Sequence, residues 1–391
     1  MTTKAVDVAI IGASLAGAST ALRLASHGVS VALFDQSTFP RRKACGEGLS
    51  IQGMEELKGL GLEEQLLALP HVPFYGFRFF ERRKVSQIVL RPHMHGVGVK
   101  RVDLDNLLVE AAGRNGVELN LGKQVSVERI PTEPFLIECE GRLWRARYVV
   151  LATGAHSALP QTLGVPTFFK SRSRCGLSIP LLHKQPHNQT TVDIFVEPKI
   201  QACSTPVDPH TTTLSLFCAN DLASRLTPAR IPRLVEEVCE RLQVEPALNE
   251  PGRTVSGLGR VYRTSYHNNV FVVGDAYRQL DPIGGMGMTQ ALVTGRITGD
   301  TLFELYSRRA SDFDALVSAH EVKVQRAVRK LVGYTLLTYW SLSTPLGRET
   351  LGRQKVGALA REVLLSMHRP SSPYTPYGLI SSFLIQSAGL W

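Results

Sequence analysis

The N-terminal segment narrows the fold more than any other. Val6–Ile11 (VDVAII) is a short apolar run suited to a buried parallel strand. Gly12-Ala-Ser-Leu-Ala-Gly17 follows, then a helix pattern through Ala21, Leu22 and Leu24 that stops near Gly28. Val29–Phe34 is a second strand, ending at Asp35, twenty-three residues after Gly12. Strand, glycine turn, helix, strand and acid in this order form the βαβ dinucleotide fingerprint. Gly12 permits the tight turn and Gly17 the close approach of helix and strand. The helix N-terminus then offers unpaired N–H groups to a pyrophosphate. Asp35 stands where an acid accepts ribose hydroxyls. The middle glycine is replaced by Ser14, whose Cβ crowds a phosphate but whose hydroxyl can donate to it.

Composition sets the outer bounds. With 391 residues, 43% hydrophobic and 20% charged, the chain is neither disordered, collagen-like nor a coiled coil. Six cysteines (45, 139, 175, 203, 218 and 239) lack metal-ligand spacing, so no zinc site and no disulfide scaffold is expected. No signal peptide precedes the first strand, and a cytoplasmic protein is expected. Of the net charge of +10, six lie in Arg308–Arg369, read as a solvated basic face. No nucleic-acid-binding motif accompanies it, so no nucleic acid partner is expected. No run reaches 18 apolar residues, which argues against a transmembrane span.

A second glycine-rich region reads Asn268-Asn-Val-Phe-Val-Val-Gly274-Asp275-Ala276, then Asp281-Pro282-Ile-Gly284-Gly285-Met286-Gly287-Met288. A buried strand runs into Gly-Asp-Ala, and a glycine turn opens a helix at about Thr289. With the N-terminal fingerprint, these motifs resemble the FAD-dependent family of aromatic hydroxylases (class A flavoprotein monooxygenases), geranylgeranyl reductases and flavin halogenases. The resemblance spans roughly residues 5–300. It implies that Gly274 and Asp275 meet the ribityl chain and pyrophosphate of FAD. It also implies that Pro282, Gly284, Gly285, Met286, Gly287 and Met288 lie at the flavin ring, where the glycine-rich turn lays backbone N–H groups beside N1–C2=O and reduced flavin carries negative charge. Arg101 would open a helix beside the cofactor, Val125, in a strand after Gly122, would lie by the adenine, and Tyr148–Gly154 would be the strand returning to the nucleotide.

Pro40–Ser50 (PRRKACGEGLS) is similar to the K-x-C-G loop of geranylgeranyl reductases and of oxidoreductases from polyketide pathways. That likeness makes Cys45 and Glu47 the catalytic candidates. Cys45 equally suits a small packing residue in a glycine-shaped turn. The family's Asp-Gly motif tied to nicotinamide use is replaced by Thr153-Gly154-Ala-His-Ser157. That counts against direct NAD(P)H use, so NAD(P)H stays one candidate electron donor among others. The three tryptophans, 144, 340 and 391, are widely separated, which disfavours a halogenase.

Thr191–Val196 and Thr211–Cys218 read as strands, and Phe74–Phe80 as an aromatic one. Thr227–Leu242 reads as a surface helix, and Asp300–Tyr306 and Phe313–Tyr334 as successive helices. Pro370–Trp391 carries no charge and places Leu379, Ile380, Phe383, Leu384 and Ala388 near one helical face. It is expected to dock on its own subdomain or a dimer partner, or else to cover a lipophilic entrance or touch a membrane surface.

The expected fold is therefore α/β. A FAD-binding Rossmann-like domain (residues 1–70, 96–165 and 255–300) carries an antiparallel-sheet substrate domain (71–95 and 166–254) and a C-terminal helical extension (301–391). The expected activity is monooxygenation of a hydrophobic aromatic or polyketide-type small molecule through a flavin C4a-hydroperoxide. The alternatives are a flavin-dependent reductase of carbon–carbon double bonds and a non-catalytic flavin-binding partner protein.

Overall fold

The computed structural model describes residues 3–81, 84–90, 94–130, 135–183, 185–196, 200–219, 235–236, 239–240, 245–246, 253–307 and 312–343. The chain opens with β1 (Thr3–Ile11), α1 (Leu15–Ala25) and β2 (Val31–Asp35). It later returns to the same sheet through α2 (Arg101–Arg114), β3 (Glu118–Leu121), β4 (Arg142–Leu151) and β5 (Val270–Val272). These five strands lie parallel in the order β3-β2-β1-β4-β5. That is the open, doubly wound arrangement, and its order reverses between β1 and β4. Alternation sends Val8 and Ile10 of β1 into a core shared with α1 and α2. Ala9 and Ile11 point to the opposite face, against Phe34, Trp144 and Phe135. A strand buried on both faces has to be apolar throughout, which is why the VDVAII run is so legible.

A nine-stranded sheet forms the second layer. Its backbone is the long strand Thr167–Leu182, flanked by Arg253–Arg263 on one side and Thr211–Ala219 on the other. Ile200–Asp208, Val192–Val196, Gly76–Glu81 and Lys84–Val89 continue it outward. Every pair is antiparallel except Val192–Val196 with Gly76–Glu81. The expected aromatic strand at 74–80 is two strands, His71–Phe74 and Gly76–Glu81, which break at Tyr75. Arg253–Arg263 also belongs to this sheet, so the chain recrosses at residues 264–266 rather than near 255.

Two long helices complete the described chain. α3 (Gly287–Ser307) is one helix through the segment read separately as Asp300–Tyr306, and α4 (Phe313–Ser343) runs beyond the expected Tyr334. Val324 and Val328 of α4 pack on the β4–β5 face of the parallel sheet. Most of the expected 227–242 helix and all of the uncharged 370–391 segment lie outside the described residues. Among the described residues, no helix is long and apolar enough to cross a membrane, and no His, Cys, Asp and Glu cluster suits a metal.

Candidate active site

At the reversal point of the parallel sheet, sterics fix the first glycine turn. Gly12 has φ +109°, and a Cβ there would stand 2.4 Å from the Ala152 carbonyl oxygen. A Cβ on Gly17 would stand 1.8 Å from the Gly12 oxygen, so the first turn of α1 closes on the turn before it only with glycine. Asp35, at the end of β2, holds this turn in place. Its carboxylate accepts the Ala13 N–H at 2.8 Å and the Ser37 N–H at 2.8 Å. Arg41 approaches the same carboxylate at 4.0 Å, with its Nε buried and unpartnered.

Ser14 sits at the N-cap of α1, but its hydroxyl caps nothing. It donates to Asp105 at 3.1 Å and accepts from Arg101 at 2.9 Å. Arg101 and Asp105, four residues apart on α2, form a bidentate ion pair that is 7% and 0% exposed. Burial works against the Arg101 charge, and the Asp105 carboxylate is the chief influence that offsets it, so its pKa is raised. The buried Asp105 carboxylate thus fixes the direction of the Arg101 guanidinium.

The loop of residues 43–48 bridges the two sheets. Ser178 and Ser215, on neighbouring strands of the antiparallel sheet, both donate to the Cys45 carbonyl, at 2.9 and 3.2 Å. Glu47 takes a left-handed backbone, φ +57°. One of its carboxylate oxygens accepts the Arg101 N–H at 2.9 Å, and the other accepts from the Thr213 hydroxyl. Glu47 thereby supplies the acceptor that Lys100 does not give to the N-terminus of α2. Burial raises the Glu47 carboxyl above its usual range, against the pull of Thr213 and the Arg101 N–H. The Cys45 thiol accepts the Glu47 N–H at 3.3 Å and lines the cavity described next.

A cavity of about 320 Å³ joins these parts. Its nucleotide end is formed by Ser14–Ala16, Arg101, Ala152, Gly154, Gly274 and Asp275. Its middle is the turn 281–288, and its far wall is apolar, with Phe74, Phe77, Phe79, Ile194 and Phe217. The turn is anchored from behind: Arg174 pairs with Asp281 at 3.0 Å, both 11% exposed. A Cβ on Gly284 would meet Thr335 Oγ1 of α4 at 2.5 Å, so α4 presses on the turn and contributes Tyr334 and Thr338 to the cavity. Burial pushes the Tyr334 phenol up to about 12.

Two helix N-termini, those of α1 and α3, open into this one cavity, and both lead with residues that line it. First-turn N–H groups have no acceptor within their own helix and carry the positive end of the dipole. A Cβ on Gly154, Gly285 or Gly287 would meet nothing within 4 Å, so backbone lies bare to the open space. A molecule with a pyrophosphate at one end and an electron-accepting ring at the other fits this layout.

The comparison with known families settles which. The profile of the FAD binding domain matches residues 5–330. The chain belongs to this family. Menaquinone reductase of Mycobacterium tuberculosis is 32% identical over 164 residues, covering 40% of this chain and 40% of that protein. Rifampicin monooxygenase of Streptomyces venezuelae is 25% identical over 304 residues, covering 72% of this chain and 60% of that one. The chain thus spans 40% and 60% of the two relatives, less than two thirds of either. A flavoprotein/dehydrogenase from Cytophaga hutchinsonii superposes with a TM-score of 0.83 at 20% identity, over 99% of this chain and 100% of the other, which is a likeness of fold.

Within this FAD-binding fold, the site residues read from the sequence fall into three groups. Ser14, Cys45, Glu47, Arg101, Gly154, Gly274, Asp275, Pro282, Gly284, Gly285, Met286, Gly287 and Met288 all line the cavity. Gly12, Gly17 and Asp35 lie behind the wall and shape it. Val125 lies outside the wall, half-buried against the second core face, and immediately precedes the strand Ser126–Glu128. Burial raises the Asp275 carboxyl, with Lys43, Arg101 and His156 pulling the other way.

Lys43 is the contributor that motif reading did not single out. It is exposed on the cavity wall. Loss of hydration, then the neighbouring Arg101, lower its ammonium pKa, against the pull of Asp275 and Asp105. Its signals in the sequence are the lysine position of the K-x-C-G pattern and the basic run before Cys45.

Proposed function

We propose that this chain is a FAD-dependent monooxygenase that hydroxylates a hydrophobic aromatic or polyketide-type small molecule. The observation that carries the reading is the cavity itself. The turn assigned to the flavin ring faces a wall of Phe74, Phe77, Phe79, Ile194 and Phe217 with no charged side chain between them. Such a wall favours a flat, uncharged molecule and keeps water from the reacting centre. FAD, when bound, supplies the redox chemistry and the activation of O2. The chain's own residues bind, orient and exclude. Ser14, Arg101 and the first turn of α1 hold the pyrophosphate end, and Gly274 and Asp275 the linking sugar alcohol. The first turn of α3, at Gly287 and Met288, stabilises negative charge on the ring. The loop 43–48 sets Cys45 at the boundary between ring and substrate.

Likeness to rifampicin monooxygenase over 72% of the chain supports this reading. A second reading, reduction of a carbon–carbon double bond, is favoured by Cys45 in its K-x-C-G setting and by the likeness to menaquinone reductase. Turnover by the reduced, FAD-loaded protein with uncharged aromatic and polyketide-type compounds separates the two. The monooxygenase reading expects one oxygen atom from isotopically labelled O2 in the product and no turnover without O2. Anaerobic saturation of a double bond, slowed in Cys45→Ala, would transfer the site to the reductase reading.

A further inference from the structure

On the antiparallel sheet, Cys175 and Cys218 stand directly opposite each other on the adjacent strands Thr167–Leu182 and Thr211–Ala219. Their sulfur atoms are 3.0 Å apart, and both residues are thiols. We infer that Cys175 and Cys218 are a peroxide-responsive dithiol that closes reversibly into a cross-strand disulfide.

Geometry supports the closure. Directly opposed residues of an antiparallel pair have Cα atoms about 4.5–5.5 Å apart, inside the range of about 4.4–6.8 Å that a disulfide spans. Forming the bond needs the sulfurs to close by about 1 Å. The backbone can yield there, because the ladder between Thr167–Leu182 and Arg253–Arg263 shifts register between Arg174 and Gly176, with Cys175 at the irregularity. Alternation puts the thiols on the face of Ile179 and Leu216, whereas Gly176 and Phe217 face the cavity, and neither cysteine lines it. The pair is therefore outside the site already described, yet one residue from Arg174, which anchors Asp281.

Access sets the order of events. Cys175 is half-buried and Cys218 is 2% exposed, so Cys175 meets the oxidant first. Its thiolate attacks hydrogen peroxide, breaking the O–O bond and giving a sulfenic acid and, after protonation, one water. The Cys218 thiol then attacks that sulfur, forms the S–S bond and expels a second water. Two electrons leave the sulfur pair and reduce one peroxide to two waters. Burial pushes the Cys203 thiol up to about 12 and the Cys239 thiol up to about 11, which keeps both as poorly reactive thiols.

The test is peptide mapping of the folded, full-length protein after treatment with hydrogen peroxide and alkylation of the remaining thiols. The expected result is a Cys175–Cys218 linked peptide, two hydrogens lighter than its parts, that dithiothreitol reverses and that Cys175→Ser removes. Two results would overturn the proposal: recovery of both residues as alkylated thiols, or Cys175 carried on to sulfinic acid with Cys218 still alkylated. The wild-type map alone decides between these, whether or not the serine variant folds.

Discussion

At the first glycine turn, a Cβ on Gly17 would lie 1.8 Å from the Gly12 carbonyl oxygen, whereas on the substrate side of the cavity a Cβ on Gly46 would meet its nearest atom, Ser215 Oγ, at 3.7 Å. The nucleotide half is built by exclusion: backbone against backbone, an ion pair with no solvent, and strands buried on both faces. The substrate half is built by enclosure, with apolar side chains around open space and a loop tied across by two serines. At Gly17 the chain tolerates almost no change of shape, whereas at Gly46 the cavity wall leaves room for one. That contrast explains how one cofactor-binding frame can serve different chemistries, since the reaction is set on the side where sterics are permissive.

The largest effect is expected where exclusion is tightest. Gly17→Ala should destabilise by more than about 3 kcal/mol, because its clash is with backbone that cannot rotate away. Soluble yield and FAD content report it, and a well-folded, flavin-loaded variant would break the contrast. Asp105→Ala comes next. It strands a buried guanidinium and should cost about 3–5 kcal/mol in chemical denaturation. The double variant Arg101→Met with Asp105→Leu should cost much less in stability than Asp105→Ala while still losing FAD affinity. Equal costs would mean that the pair is not desolvated as described.

Asp275→Ala stands at the join of the two halves. It removes an acceptor worth about 1–3 kcal/mol, so FAD affinity should fall roughly ten- to a hundredfold. Equilibrium titration with FAD measures this, and undiminished affinity would remove Asp275 from the cofactor. The smallest effect is expected at Glu47. Its carboxyl pKa is raised in the fold, so the folded state holds its proton more tightly than the unfolded chain does. Stability from this group is therefore greatest when it is protonated. It is lost as pH rises from the unfolded value, about 4.3, through the raised folded value. Glu47→Gln removes the charge, keeps its carbonyl oxygen as acceptor for the Arg101 N–H and turns the Thr213 bond round so that the amide donates to the hydroxyl, so it should gain on the wild type by under about 1 kcal/mol as pH rises through that window. A gain that appears instead as pH falls would reverse the assigned sign.

The excluded half was the more legible in sequence. A run such as VDVAII, glycines at 12 and 17, and a Gly-Asp turn are demanded by local geometry, so they are visible at single positions. The substrate half depends on contacts between residues far apart in the chain. Nothing near Cys45 announces that Ser178 and Ser215 hold its carbonyl, or that Glu47 caps α2. The strand Arg253–Arg263 (RTVSGLGRVYR) has too little alternation to declare its sheet. The single α3 helix was hidden by Gly295 and Gly299, which weaken a helix pattern that tertiary packing restores. For Ser14 and Asp35 the motif speaks only of a ligand and says nothing of their partners within the protein. The hydroxyl is taken by Arg101 and Asp105, and the carboxylate already holds two backbone N–H groups.

The central claim is that flavin and substrate share one chamber, the flavin held by the excluded half and the substrate by the enclosed half. The most direct measurement is the absorbance spectrum of the FAD-loaded protein during titration with an uncharged aromatic ligand, in the wild type and in Phe217→Ala. The account predicts a saturable change in the bound flavin spectrum, shifted in Phe217→Ala to about tenfold higher ligand concentration by the lost apolar contact, with FAD affinity unchanged. Saturable ligand binding that leaves the flavin spectrum untouched would contradict it.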